Sequence, residues 1–221
     1  RRRIRSSLGF TDDDFIVIFC GRIMREKGVL ELLQAISEID DQHVKLMIVG
    51  SADFGPSNRT PYVNAVVERV SHLGNRVAYI GYVPNDQLYR YLKSADIQVV
   101  PSMWEDAAPL VPVEAMAAGL PLIVTRSGGI EEYTSPECAV IVERDGQIVE
   151  SLSRAIVSLQ RNPDRCTPVR SATRWIKTRP PCTRIFTYCL PTMPVKSTRE
   201  RVRTLPRMHP SISPMRPQRA I

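Results

Sequence analysis

Four charged side chains stand where they could hold a ligand that carries both phosphates and hydroxyls. Arg22 and Lys27, five residues apart, bracket a loop that follows an apolar run and opens a helical segment. An arginine fork and a lysine point charge together suit a diphosphate. Asp106 and Glu114 flank a small apolar loop that leads into another helix. Those carboxylates could accept hydrogen bonds from sugar hydroxyls, and the helix start would present backbone N–H groups to an anion.

The loop that contains Arg22 and Lys27 matches neither of two common phosphate-binding sequences. A dinucleotide fingerprint GxGxxG or a P-loop GxxxxGK[ST] would fall at residues 21–28, and both are absent. Taken alone, this loop could equally be a solvated, charged turn. Farther along, Gly128 and Gly129 form a pair of the kind found where a backbone approaches another group closely.

The order of elements predicts that these residues meet at one edge of a sheet. Continuous apolar runs alternate with amphipathic segments, which indicates an α/β fold: a Rossmann-like parallel sheet with helices on both faces. Ligands of such sheets bind beyond the carboxyl ends of the strands. The predicted strands are residues 15–20, 44–49, 77–80, 97–100, 122–124 and 139–142, and the loops of interest are 21–28, 50–61, 81–85, 102–112 and 125–132.

Charge is divided unevenly along the chain. The net charge is +7, but residues 166–221 carry 12 Lys and Arg against one acid, a net +11, which leaves −4 for residues 1–165. That last segment also holds nine of the 18 prolines and no glycine. We therefore predict a linker over residues 1–14, a Rossmann-like domain over 15–165, and a basic Pro/Arg-rich tail over 166–221 that is disordered or out of frame. The alternative is a tail that binds nucleic acid or a membrane surface.

Cysteine usage and hydropathy exclude several classes of protein. The five cysteines are odd in number and show no CxxC spacing, so neither a zinc site nor a disulfide framework is expected, and a reducing cytoplasm is predicted. No run approaches 18 consecutive apolar residues, which excludes a membrane-spanning helix. The basic N-terminus is not followed by an apolar core, so no secretory signal is expected.

Six segments in a fixed order carry a family resemblance. They are GR-x4-KG, IVG, YIGYVP, ADIQVVPS, an acid-x7-Glu motif with EAMAAGLP, and SGGIEE. This order resembles the retaining glycosyltransferases of the GT-B fold, and most closely the donor-binding, C-terminal domain of family four (glycosyl transferases group 1). The resemblance covers roughly residues 1 to 165.

The resemblance implies a role for each charged residue. Arg22 and Lys27 would hold both phosphates of a sugar nucleotide and stabilise the departing diphosphate. Glu114 would accept hydrogen bonds from the ribose hydroxyls. Asp106 stands where the family usually has a glutamate that binds the transferred sugar, one methylene longer, and the adjacent Glu105 could substitute for it.

Backbone groups complete the site that the resemblance implies. The backbone at Leu110 and Val111 would contact the phosphates, and that near Val83 the base. Gly128 and Gly129 would lie against the donor. The two-carboxylate mechanism of glycoside hydrolases competes with this interpretation, but it explains neither the cation pair nor the glycine-flanked loops.

The implied function is transfer of a sugar from a nucleoside-diphosphate sugar to an acceptor, a polysaccharide, a lipid or a small molecule, with retention. No metal or cofactor is expected. An N-terminal acceptor domain would be missing, so the chain alone is expected to be inactive. A location in the cytoplasm is expected, with peripheral contact at the inner face of the membrane left open. A sugar-nucleotide-binding remnant or a split-enzyme subunit, and a nucleic-acid or membrane-surface binder acting through the tail, remain alternatives.

Overall fold

The strands of the fold are the predicted apolar runs. The computed structural model describes residues 1–52, 60–105, 110–130, 134 and 138–162. Asp106 and the predicted tail, residues 166–221, lie outside the described residues. The strands are β1 Phe15–Cys20, β2 Val44–Val49, β3 Val77–Gly81, β4 Ile97–Val100, β5 Leu122–Thr125 and β6 Ala139–Val142.

All six strands join one parallel sheet in the order β3-β2-β1-β4-β5-β6. The strand order reverses between β1 and β4, which pair directly through Val17 with Ile97 and Ile18 with Gln98. This is the doubly wound topology, in which a crevice opens between the loops that follow the two central strands. The predicted fold class is therefore confirmed.

Helices cover both faces of the sheet. They are α1 Arg2–Ser7, α2 Val29–Glu38, α3 Pro61–Leu73, α4 Asn85–Leu92, α5 Leu110–Ala118 and α6 Ile148–Arg161. Of these, α2, α3 and α6 bury apolar residues at helical spacing against the sheet. One core cluster joins the sheet to α2, α3 and α6, and a second joins it to α4 and α5. The start of α3 shows the local cause: Pro61 occupies the first turn, and the Thr60 hydroxyl accepts the Val63 N–H at 3.2 Å.

Two segments differ from the sequence-based expectation. The predicted linker over residues 1–14 contains the short helix α1, which is bonded to the domain through the buried Arg5 side chain. Helix α5 begins at Leu110, whereas the sequence predicted a helix from Glu114. Pro112 is compatible with this extra turn, because it stands within the first turn, where a backbone N–H is not needed for a helical hydrogen bond.

Candidate functional site

The loops that follow β1 and β4 are in direct contact at the carboxyl edge of the sheet. Gly28 has φ +68°, and a Cβ built on it would lie 1.9 Å from the Pro101 carbonyl oxygen. The Met103 N–H donates to the Glu26 carbonyl at 2.8 Å. Because only glycine allows this approach, Gly28 fixes how closely the two sides of the crevice stand.

Backbone hydrogen bonds extend this contact across the other half of the edge. The Gly21 N–H donates to the Val49 carbonyl at 3.0 Å, and the Ile23 N–H to the Ser51 carbonyl at 2.8 Å. The loop after β2 is in turn held to β3, because the Gly50 N–H donates to Gly81 at 2.8 Å. The loops after β1, β2 and β3 therefore form one connected rim.

Arg22 and Lys27 both lie on this rim, on the β1 side of the crevice. Arg22 is exposed and is followed by Ile23, whose side chain is only 1% exposed and anchors the loop in the core. Lys27 is half-buried at the end of a one-turn helix, directly before Gly28 and α2. The structure thus places the two predicted cations on one anchored loop beside the strand switch point.

Glu114 faces the same crevice from the opposite side, on the second turn of α5. Burial raises the pKa of its carboxyl. Ala115, the residue after Glu114, packs in the same core cluster as Cys20 at the end of β1. Burial raises the pKa of the Cys20 thiol, and the charge of Glu114 acts in the same direction. Since Cys20 directly precedes Gly21 and Arg22, Glu114 and the cation loop belong to one site.

The half-buried position of Glu114 has a consequence for stability that can be measured. A carboxyl whose pKa is raised on folding binds a proton more tightly in the folded state. Its stabilising contribution is therefore complete below the unfolded-state pKa of about 4.3 and is lost as the pH rises through the raised folded-state pKa. We expect Glu114→Gln to melt above the wild type at pH 7.5, with the difference disappearing at pH 4. Glu150→Gln, an exposed residue on α6, should show no such pH-dependent difference. A Glu114→Gln protein that melts below the wild type at both pH values would contradict the assignment.

The predicted backbone contacts lie at the same edge. Leu110 and Val111 are the first two described residues of α5, at the N-terminal end of that helix. Val83 follows β3, and β3 itself lies two strand spacings, or about 10 Å, from β1. Asp106, the predicted sugar-binding acid, lies outside the described residues.

Glu105, the alternative to Asp106, is already engaged by protein groups. Its carboxylate accepts the Gly128 N–H with one oxygen and forms an ion pair with Arg144 through the other. Glu105 therefore connects the loop after β4 to the loops after β5 and β6. The same bond occupies the Gly128 N–H, while Gly129 follows it in the loop after β5.

Arg144 and Ser102 lie at the carboxyl edge of the sheet, and neither was singled out from the sequence. Arg144 follows β6, and applying the carboxyl-end rule to that strand would have pointed to it. Ser102 follows β4; its side-chain oxygen is buried and, within the part of the chain that the structure describes, has no hydrogen-bond partner. A buried hydroxyl of this kind carries no sequence signal, because its isolation arises only from the packing around it.

Two absences can be stated for the described ranges alone. Within them, no group of three or more His, Cys, Asp and Glu residues is arranged to hold a metal ion. The helices described there are all too short or too polar to cross a membrane.

Cations, a helix N-terminus and a carboxylate thus lie at the switch point of a doubly wound α/β sheet, where folds of this class bind their ligands. Comparison with known families makes this specific: the profile of the Glycosyl transferases group 1 family matches residues 1–177. The chain belongs to this family.

Curated relatives support the family assignment. An uncharacterized glycosyltransferase of Methanocaldococcus jannaschii is 35% identical over 134 residues, 60% of this chain and 33% of that protein. The lipopolysaccharide 1,2-N-acetylglucosaminetransferase of Salmonella typhimurium is 29% identical over 167 residues, 72% of this chain and 44% of that protein. The chain therefore spans less than half the length of these two relatives.

Solved structures share the fold. Anabaena HepE in complex with UDP aligns with a TM-score of 0.68 at 22% identity, over 79% of this chain and 47% of that one. The C-terminal domain of a glycosyl transferase group 1 family protein from Francisella tularensis aligns with a TM-score of 0.64 at 20% identity, over 81% of this chain and 92% of that one. The second match covers nearly a whole separate domain, so the described fold corresponds to a domain that has been solved by itself.

Proposed function

We propose that this domain binds a nucleoside-diphosphate sugar at the carboxyl edge of its sheet, as the donor half of a retaining glycosyltransferase. In the complete protein the sugar would pass to an acceptor held by other residues. The observation that carries the proposal is the direct contact between the loops after β1 and β4, where the Met103 N–H donates to the Glu26 carbonyl at 2.8 Å. This contact brings the Arg22–Lys27 loop beside the chain segment that leads to α5 and Glu114.

The three groups divide the ligand between them by charge. The carboxylate suits the ribose hydroxyls, because an ionised acceptor forms the stronger hydrogen bonds with neutral donors. The N–H groups of Leu110 and Val111, at the N-terminal end of α5, suit the phosphates together with the helix dipole. HepE, which shares this fold, has been solved with UDP and with UDP-glucose, so the fold can accommodate such a ligand.

Arg22 and Lys27 would then act on the bond that breaks. Cleavage of a glycosyl–phosphate bond leaves negative charge on the diphosphate, and cations fixed beforehand at that position stabilise the transition state more than the bound donor. Loss of one fixed donor of this kind typically lowers the rate about 10²- to 10³-fold.

Binding can be tested on the chain as it stands. Calorimetric titration with UDP, GDP and ADP should identify at least one nucleoside diphosphate that binds, and removal of its outer phosphate should weaken binding. We expect Arg22→Ala and Lys27→Ala each to weaken binding by about 1.5–3 kcal/mol, the range for hydrogen bonds to charged groups.

Arg25→Ala provides the matched control. Arg25 is an exposed cation of the same loop, three residues from Arg22, and has no assigned role in the site. Its removal changes the net charge of the loop equally and should leave affinity nearly unchanged. Equal losses in all three variants would indicate a nonspecific charge effect, and unchanged affinity in the Arg22 and Lys27 variants would refute the site.

A further inference from the structure

We infer that Arg144 is a positioning residue that joins three loops at the carboxyl edge and, through Glu105, sets the half of the site that receives the donor sugar. This inference rests on the proposed function, because it assigns these loops to the sugar of a nucleoside-diphosphate sugar. It also assigns the Glu105 carboxylate to the protein framework, since both of its oxygens are engaged by protein groups.

The guanidinium of Arg144 donates to groups on two other loops. Its Nε donates to the Arg126 carbonyl, after β5, at 2.8 Å, and its Nη1 donates to the Met103 carbonyl, after β4, at 3.3 Å. Its Nη2 contacts the Glu105 carboxylate, also after β4. Arg144 itself follows β6, so one side chain bonds the loops after three adjacent strands.

Further hydrogen bonds connect the same loops. The second oxygen of Glu105 accepts the Gly128 N–H, and the Ser127 hydroxyl donates to the Trp104 carbonyl at 2.5 Å. The Thr125 hydroxyl donates to the Ser102 carbonyl at 2.7 Å. These three hydrogen bonds hold the loops after β4 and β5 together. The one between Gly128 and Glu105 depends on the carboxylate that pairs with Arg144.

An exposed ion pair by itself would hardly fix the loops, since most exposed pairs stabilise a protein by less than about 1 kcal/mol. Glu105 is indeed 62% exposed, but the Arg144 side chain is only 25% exposed. Arg144 also donates two hydrogen bonds to backbone carbonyls, in the fixed fork geometry that only arginine provides. A lysine could replace the charge but could not bond all three groups at once.

The position of the bonded loops determines which part of a donor they affect. Leu110, Val111 and Glu114, proposed to hold the phosphates and ribose, are on α5 and are anchored by the buried Ala115 and Ala118. The loops joined by Arg144 follow β4, β5 and β6, lie outside α5 and include the Gly128–Gly129 turn. Loss of Arg144 should therefore disturb binding of the sugar and leave binding of the nucleoside diphosphate nearly intact.

The test compares a nucleoside diphosphate with its sugar conjugate in the same protein. UDP and UDP-glucose are the first pair, followed by GDP with GDP-mannose and ADP with ADP-glucose if UDP does not bind. By calorimetry, we expect Arg144→Ala and Glu105→Ala each to weaken binding of the sugar conjugate about tenfold and that of the diphosphate less than twofold. The double variant should lose no more than either single variant, because the two side chains act as one unit.

Two further variants and one measurement without ligand make the test specific. Arg144→Lys should not restore sugar binding, and Arg154→Ala, which removes the arginine of an exposed pair on α6, should change nothing. Amide hydrogen exchange should be faster at Gly128 in Arg144→Ala than in the wild type.

The outcomes separate this inference from the proposed function. If the wild type binds no nucleotide, the proposed function fails and the inference fails with it. If the wild type binds, and Arg144→Ala binds the sugar conjugate equally well, the inference alone is overturned. Loss of sugar binding in Glu105→Ala but not in Arg144→Ala would make Glu105 itself the sugar ligand and would also overturn it.

Discussion

The Arg5→Ala variant is expected to be less stable than the wild type by about 1–3 kcal/mol, the range for leaving a buried hydrogen-bond acceptor without its donor. The Arg5 side chain is 2% exposed. Its Nε donates to the Ser94 carbonyl at 2.9 Å and its Nη1 to the Asp14 carbonyl at 2.8 Å. Its Nη2 contacts Asp96 at 2.7 Å. Alanine would leave the Ser94 and Asp14 carbonyls without this donor, whereas Asp96 would still accept the Ile16 N–H and pair with Arg1. Urea denaturation followed by circular dichroism measures the loss.

The control for this experiment is on the same helix. Arg2 forms an ion pair with Asp12, but their side chains are 86% and 56% exposed. Arg2→Ala should therefore cost less than about 1 kcal/mol. Equal effects of the two substitutions would show that α1 contributes through its charge alone and that the buried contacts of Arg5 are unimportant.

The Gly28→Ala variant should lose both stability and nucleotide affinity. An alanine at φ +68° costs about 1–2 kcal/mol through its backbone alone. The added Cβ would lie 1.9 Å from the Pro101 oxygen, so the loops after β1 and β4 must move apart, at a further cost of about 1–3 kcal/mol. This movement would carry Lys27 away from α5, and denaturation together with nucleotide titration measures both losses.

Gly9→Ala separates backbone strain from the clash. Gly9 has φ +75°, and a Cβ built on it would meet nothing within 4 Å. This variant should show only the backbone cost and should retain full nucleotide affinity. If Gly28→Ala were no more destabilising than Gly9→Ala, then the loops after β1 and β4 would not be held in the close contact described above.

The fold could be predicted from the sequence because its signals are local. Phe15–Cys20 and Val44–Val49 are unbroken apolar runs, and strands buried on both faces require that pattern. The alternation of such runs with amphipathic helices then leaves few topologies other than a parallel sheet. Since that topology fixes one edge for ligands, the region of Arg22, Lys27 and Glu114 followed from the same signals.

The residues that the sequence did not reveal depend on partners distant in the chain. Arg5 reads as part of a basic linker, because its partners Ser94 and Asp96 lie about 90 residues away. Arg144 reads as one charge among several after the last strand, and its contact with Glu105 spans 39 residues. Both arginines acquire their roles only when the sheet brings separate loops together. The hydrophobic periodicity of the sequence reports local structure and gives no information about such contacts.

The most direct test of the proposed site is a crystal structure of this chain with the nucleoside diphosphate that binds it most tightly. We expect the diphosphate at the start of α5, within hydrogen-bond distance of the Leu110 and Val111 N–H groups and of the Arg22 and Lys27 side chains. The ribose hydroxyls should lie against the Glu114 carboxylate. A nucleotide found instead at the amino edge of the sheet, where a cavity of about 420 Å³ is lined by residues that include Lys93 and Asp96, would contradict the site.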